Sequence, residues 1–285
     1  MIHDPKFIFF GTPRFAELVL KELLDANLLP GAVICNPDRP VGRKKTITKP
    51  AVKRLIIEKE FENKIKILQP ENSQEILTIL SGISKPDIAI VAAYSKILPA
   101  DIINLPKLGT LGVHPSLLPK YRGASPIQSV ILSGEKETGV TIYKLDEKMD
   151  HGPILAQEKQ TLNGDETYLD LEEKLAILGG KLLVKTIQDY TSGNFELKEQ
   201  DHKNATFTKK ISTDDAFIDE SDLMSAQNGE NAEEIYRKIR GFNPEPGAWT
   251  IKNGKRTKLL EAKIIDKKLV LTLIQEEGKN PQKPL

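Results

Sequence analysis

The side chains best able to do chemistry are concentrated between residues 112 and 152. The stretch Gly112-Val113-His114-Pro115-Ser116-Leu117-Leu118-Pro119-Lys120-Tyr121-Arg122-Gly123 ends an apolar run in a proline-bounded loop, and Asp146 and Asp150-His151-Gly152 follow it. An imidazole titrates near neutrality, so it can accept a proton and return it within one turnover. A carboxylate beside it fixes the ring and stabilises its protonated form. His114 with Asp150 could therefore manage the proton of an attacking nucleophile. Taken alone, a single histidine at a strand end reads first as structural. The histidines, His3, His114, His151 and His202, are scattered, and neither His114 nor Asp150 has partners at ligand-like spacing, so no metal site is expected. Gly11-Thr12-Pro13 lacks both the GxGxxG and the P-loop lysine patterns. It is expected to be a structural turn or the border of an acceptor site.

A second concentration is electrostatic. Arg39, Arg43, Lys44, Lys45, Lys49, Lys53 and Arg54 fall within one stretch that contains no acidic residue, bracketed by Pro40 and Pro50. Such a run is usually a solvated surface, but this one is long and single-signed, as a phosphate-binding footprint would be. From residue 250 onward Lys and Arg again outnumber Asp and Glu.

These residues need a scaffold. Phe7-Ile8-Phe9-Phe10 reads as a strand, Thr12 as an N-cap with Pro13 opening a helix, and Phe15, Val19 and Leu23 as that helix's buried stripe. Strands are expected at 32–35, 66–68, 87–92 and 140–144, helices from Pro50 and Ser73, and a helix from Ser125-Pro126 closing at Gly134. Tyr168, Leu171, Leu175, Leu178 and Leu182 mark a long helix ending before Gly193. The alternation predicts an α/β fold with a mostly parallel, Rossmann-like sheet covered by helices on both faces. The carboxyl edge of such a sheet is where open α/β folds bind ligands, and His114 is expected there. Residues 194–210 read as a polar linker between a domain at 1–193 and a smaller one at 211–285. In the latter, Asn231 and Glu234 have capping-box spacing before a helix that should stop at Gly241, and β-rich segments follow, with Trp249 as a core anchor.

The bulk properties bound the function. With 41 Lys+Arg against 40 Asp+Glu the chain is nearly neutral, so any polyanion must be met by a local patch. The single cysteine, Cys35, rules out an internal disulfide framework and is expected to be a buried filler. Without a signal-like start or a long apolar span, the protein is expected in the cytoplasm.

In order along nearly the whole chain, the sequence resembles the glycinamide-ribonucleotide-transformylase-like formyltransferases. The resemblance is carried by Phe9-Phe10-Gly11-Thr12-Pro13-Arg14-Phe15-Ala16, Pro37-Asp38-Arg39-Pro40-Val41-Gly42-Arg43, Val113 to Pro119, Tyr121 to Ile127, Thr138 to Ile142, Met149-Asp150-His151-Gly152 and Ile239 to Pro244. It is strongest to the branch whose acceptor is methionyl initiator tRNA. The resemblance implies 10-formyltetrahydrofolate as formyl donor, no metal, and His114 and Asp150 as catalytic residues. It further implies a folate site lined by Ser116, Leu117, Leu118 and Pro119, with Val91 to Pro99 as another wall. Ser95 stands there where the family usually has glycine. Arg43, Lys44 and Lys45 would meet the tRNA acceptor stem, and the C-terminal domain would be a small OB-like β-barrel, short for the family, that contacts tRNA.

One position departs from the pattern. The family's catalytic asparagine, a donor to the oxyanion, is here Gly112. Loss of one such donor costs on the order of 10²–10³ in rate. Glycine could admit a water or a backbone N–H in its place, His114 could act alone, or catalysis could be impaired; the retained His114, Asp150 and folate segment favour compensation. Three further readings stay open: formyl transfer to a small amine, hydrolysis of formyltetrahydrofolate, and a tRNA-binding homologue that has lost turnover.

Overall fold

The computed structural model describes residues 6–42, 44–82 and 85–284. Along the chain run β1 (Phe7–Phe10), α1 (Arg14–Asp25), β2 (Ala32–Ile34), β3 (Arg39–Val41), β4 (Thr46–Thr48), α2 (Ala51–Glu58), β5 (Lys66–Leu68), α3 (Ser73–Ser81), β6 (Ile88–Ala92), α4 (Ala100–Ile103), β7 (Thr110–His114) and β8 (Arg122–Gly123). They are followed by α5 (Pro126–Ser133), β9 (Glu137–Lys144), β10 (Ile154–Thr161), α6 (Tyr168–Thr191), β11 (Phe207–Thr208), α7 (Glu220–Asn228), α8 (Ala232–Phe242), β12 (Trp249–Lys252), β13 (Lys255–Ile265) and β14 (Lys268–Glu276).

The main sheet has the order β10-β9-β7-β6-β1-β2-β5. The pairs of β1 with β2, β1 with β6, β2 with β5 and β6 with β7 are parallel, and β9 joins β7 antiparallel. Every residue of β1 and β7 is buried. Strands covered on both faces need continuous apolar runs, as Phe7-Ile8-Phe9-Phe10 supplies. One face packs Ile8, Phe10 and Ala89 against Ile76 and Leu80 of α3 and Ile102 and Ile103 of α4. In α6, Gly179 admits Val113 and Val140 at 3.0 Å from its would-be Cβ, so the helix backbone lies almost on the sheet. The buried stripe of α6 runs through Leu171, Leu175, Leu183, Ile187 and Tyr190, while Leu178 and Leu182 are only half-buried. The expected stripe is therefore rotated in its second half, where Gly179 meets the sheet and Gly180 lies against Glu22 and Val19 of α1.

Two expected caps form differently. Thr12 does not cap α1; its hydroxyl accepts from the Asn36 amide at 3.2 Å, tying the first turn to the end of β2, and Pro13 sits at the cap. Asn231 caps α8 in a left-handed conformation without a side-chain bond, and Glu234 pairs forward with Lys238 at 2.9 Å instead of reaching back. Nor does α8 stop at Gly241. It continues to Phe242, and Gly241 lets Ile131 approach to 3.3 Å from where a Cβ would be.

Spatially the chain forms two units, 1–122 with 139–160 and 173–205, and 123–138 with 161–172 and 206–285. The second has a core of Ile218, Leu223, Ile235, Ile239, Phe242, Leu259, Leu269 and Ile274. Its barrel-like sheet is the antiparallel meander β12-β13-β14, curled by a register shift near Glu261. Trp249 is half-buried, donates from its indole N–H to the Thr213 carbonyl at 2.9 Å, and lies beneath the Arg256 guanidinium. Among the described residues no helix is long and apolar enough to cross a membrane.

Candidate active site

His114 is the last residue of β7, at the carboxyl edge of the parallel strands. The ring is buried, with 6% of its surface exposed. Its Nε2 lies 2.9 Å from the Tyr121 carbonyl oxygen, which can only accept, so Nε2 carries the hydrogen. The other nitrogen, Nδ1, faces Asp150 Oδ2 at 3.7 Å. The two residues read as partners from sequence thus meet on one side of the sheet, with Nδ1 as the nitrogen left for proton transfer.

Several elements hold Asp150. Its backbone is left-handed, φ 49°, an uncommon conformation for a residue with a side chain. The loop is anchored by Gly152, where a Cβ would fall 1.9 Å from the Lys144 carbonyl oxygen, so the chain can pass only as glycine. The Gln200 side-chain amide donates to the Asp150 carbonyl at 3.0 Å and to the Gly152 carbonyl at 2.7 Å. Buried Arg122 orients that amide by donating to Gln200 Oε1 at 2.6 Å, and also contacts His202 Nδ1 at 2.9 Å. His151 and His202 stack with centroids 4.1 Å apart, and His151 Nδ1 meets Asp146 Oδ2 at 2.6 Å. Arg122, which the sequence places in the chemistry-bearing stretch, is supported by two residues that sequence reasoning misses: Gln200 and His202 lie in the segment that reads as a polar linker, and nothing local marks them.

Gly112 precedes His114 by two residues on the same strand and pairs across the sheet with Tyr143. The space beside it is not open to a water, one of the alternatives that the glycine leaves at the level of sequence. It is filled by Tyr143 and Leu145, whose atoms lie 2.3 and 2.7 Å from where a Cβ would be. The Tyr143 hydroxyl donates to Asp150 Oδ1 at 2.7 Å. Burial, and then the negative charge of Asp150, hold this phenol well above its ordinary pKa of 10.0.

The segment expected to line a ligand site is a rigid turn. Ser116 is fully buried, with its hydroxyl on the Lys120 carbonyl at 2.6 Å, and Leu118 packs with Tyr143 and Ile154. These two side chains are turned into the core, whereas Leu117 and Pro119 are half-buried. In the segment expected as another wall, Ser95 accepts from the Asn36 side-chain amide at 2.9 Å, and Tyr94 packs edge-on to Phe10. Against the Asp150 loop lies a hollow of about 360 Å³ lined by Ile103, Asn104, Leu145, Asp146, Glu147, Lys148 and His151.

The basic run forms a two-stranded ribbon, with Arg39, Pro40 and Val41 of β3 paired to Thr48, Ile47 and Thr46 of β4. Lys44 and Lys45 are exposed at its tip, and Arg43 lies outside the described residues. The charge is less uniform than the sequence implied. Arg39 pairs with Glu71, Lys53 with Asp38 at 2.9 Å, and Arg54 approaches Glu17 at 3.9 Å. Acidic partners supplied from elsewhere in the chain leave the ribbon tip as the more positive part.

Two family descriptions match this chain: formyl transferase over residues 5–187, and formyl transferase C-terminal domain over residues 227–270. A methionyl-tRNA formyltransferase of Kosmotoga olearia is 41% identical over 92% of the chain and 80% of its own length. The protein of the same name from Staphylococcus epidermidis is 41% identical over 91% and 80%. Among solved structures, the N-formyltransferase of Helicobacter canadensis in complex with folinic acid and dTDP-3-aminofucose superposes with a TM-score of 0.65 at 22% identity, covering 92% of this chain and 88% of that one. HypX of Aquifex aeolicus with tetrahydrofolic acid gives 0.66 at 15% identity, covering 99% and 46%.

Proposed function

The chain belongs to the formyl transferase family, and from that premise we propose that it transfers the formyl group of 10-formyltetrahydrofolate to the α-amine of methionyl initiator tRNA. The observation that carries the reading is the approach of His114 Nδ1 to Asp150 at the carboxyl edge of the sheet. The amine nitrogen attacks the formyl carbon, and its excess proton passes to His114 Nδ1. Asp150 stabilises the resulting imidazolium. The carbon–N10 bond then breaks as the imidazolium returns that proton to N10 of the folate, giving formylmethionyl-tRNA and tetrahydrofolate and restoring neutral His114. Proton transfer by a positioned group contributes about 10²–10⁴ in rate.

In this reading Leu117 and Pro119 present the outer face of the Ser116–Pro119 turn to the folate, and Ser116 and Leu118 keep that turn rigid. Arg43, Lys44 and Lys45 meet the phosphates of the acceptor stem. Catalysis is assigned to the unit of 1–122, 139–160 and 173–205, which takes in Gln200 and His202, and tRNA contact to the unit that contains 206–285, and the protein works in the cytoplasm. The test is a formylation assay with purified protein, 10-formyltetrahydrofolate and charged initiator tRNA, resolved on acid gels. Formylmethionyl-tRNA should form, and His114→Ala should lower kcat by about 10²–10⁴. Background formylation by the unmodified protein, or equal use of a small free amine, would refute the assignment.

A further inference from the structure

Gly112 and Tyr143 face each other as direct partners on β7 and β9. A Cβ on Gly112 would lie 2.3 Å from Tyr143 Cε1, 2.7 Å from its Cζ and 2.7 Å from Leu145 Cδ1. These are separations that real Cβ atoms do not tolerate, so the ring occupies the volume that a side chain at 112 would need. The ring itself cannot easily yield. It is buried, packed with Leu118, Ile154 and Leu145, and carried on a strand. From that fixed position its hydroxyl donates to Asp150 Oδ1 at 2.7 Å, while Asp150 Oδ2 faces His114 Nδ1 at 3.7 Å. Asp150, Asp146 and Arg122 are the charged groups around the phenol.

We propose that Tyr143 is a positioning residue of this active site, a rigid phenol that stands in the space above Gly112 and fixes the Asp150 carboxylate so that one oxygen is left for His114. A carboxylate on a left-handed loop residue has rotational freedom that the loop alone does not remove. A short bond to an ionised acceptor does remove it, and such bonds are about twice as strong as neutral ones. The role rests on the formyl-transfer reading for its catalytic meaning, but its geometry can be tested without turnover. It also implies that Gly112 and Tyr143 are one unit. Restoring an asparagine at 112 by itself would expel the ring and release Asp150.

Tyr143→Phe keeps the ring and removes only the hydroxyl. We expect kcat to fall about 10-fold or more, the range for losing a hydrogen bond to a charged group, with KM for folate and tRNA unchanged. In NMR titrations of the histidines, with His114→Ala to identify the resonance, the His114 curve should differ between Tyr143→Phe and the parent, because the carboxylate facing Nδ1 is no longer held. Gly112→Asn should give little folded protein, and Gly112→Asn/Tyr143→Ala should recover it. An unmoved His114 titration in Tyr143→Phe overturns the proposal, and so does a Gly112→Asn protein that folds and works like the parent. A parent protein that does not formylate tRNA would refute the proposed function, and the NMR titration would still decide the role of Tyr143.

Discussion

At the residue scale, the His114–Asp150 pair proposed to be catalytic depends on groups that touch neither partner's reacting atoms. Gln200 holds the carbonyls of Asp150 and Gly152, and Arg122 holds Gln200. Removing the amide leaves the part-buried Asp150 carbonyl and the buried Gly152 carbonyl without this donor, and the buried one alone costs about 1–3 kcal/mol. Gln200→Ala is therefore expected to lower stability by about that amount and to lower kcat with little change in either KM, as read by denaturant unfolding and steady-state kinetics. A fall in tRNA affinity alone would contradict this assignment. His114 and Asp150 were legible in the sequence because each sits in a run of residues carrying the family resemblance. Gln200 was not legible, since a glutamine in a polar stretch has no periodicity or spacing that points to a loop 48 residues earlier. The pairing of Gly112 with Tyr143 was likewise hidden, because it depends on a cross-strand register that composition does not encode.

At the scale of elements, the strand–helix alternation could be read because apolar runs such as Phe7–Phe10 and Ile88–Ala92 have no other use than a doubly covered sheet. Caps were read less well: the side chains of Thr12 and Asn231 had tertiary or backbone alternatives that local spacing cannot weigh. The basic segment shows the same limit. Its charge was plain, but its ribbon geometry and its pairing with Glu17 and Glu71 from elsewhere in the chain, and of Lys53 with the flanking Asp38, depend on tertiary contacts. A two-stranded ribbon carries Lys44 and Lys45 together at an exposed tip, where each can neutralise one phosphate. Each contact contributes about 0.7–0.9 to the slope of log affinity against log salt. Lys44→Ala/Lys45→Ala should accordingly flatten the salt dependence of tRNA binding by about 1.4–1.8 and leave the KM for 10-formyltetrahydrofolate unchanged. A salt slope equal to that of the parent protein would remove the ribbon tip from the tRNA-binding surface.

At the scale of the whole molecule, 41 basic against 40 acidic residues leave almost no net field to attract RNA or to repel the protein from itself. Stability should therefore follow the individual groups buried in the sheet unit more than overall charge. Cys35, fully buried beyond β2, is the clearest of these, since burial pushes its thiol from 9.0 to about 12. The unfolded chain loses this proton near pH 9 while the folded chain keeps it, so the folded state binds more protons and loses stability as pH rises. The contribution is complete below pH 9 and declines through the window up to 12, at about 1.4 kcal/mol per pH unit. Tyr143 and Tyr94, also raised by burial, add the same sign only above their ordinary 10.0. Between pH 9 and 10 the decline should thus belong mainly to Cys35. Urea midpoints measured across that interval should fall for the parent protein and stay nearly level for Cys35→Ala; above pH 10 both should fall, the parent more steeply up to about pH 12. Parallel curves from pH 9 upward would mean that the thiol is already accessible to solvent in the native sheet.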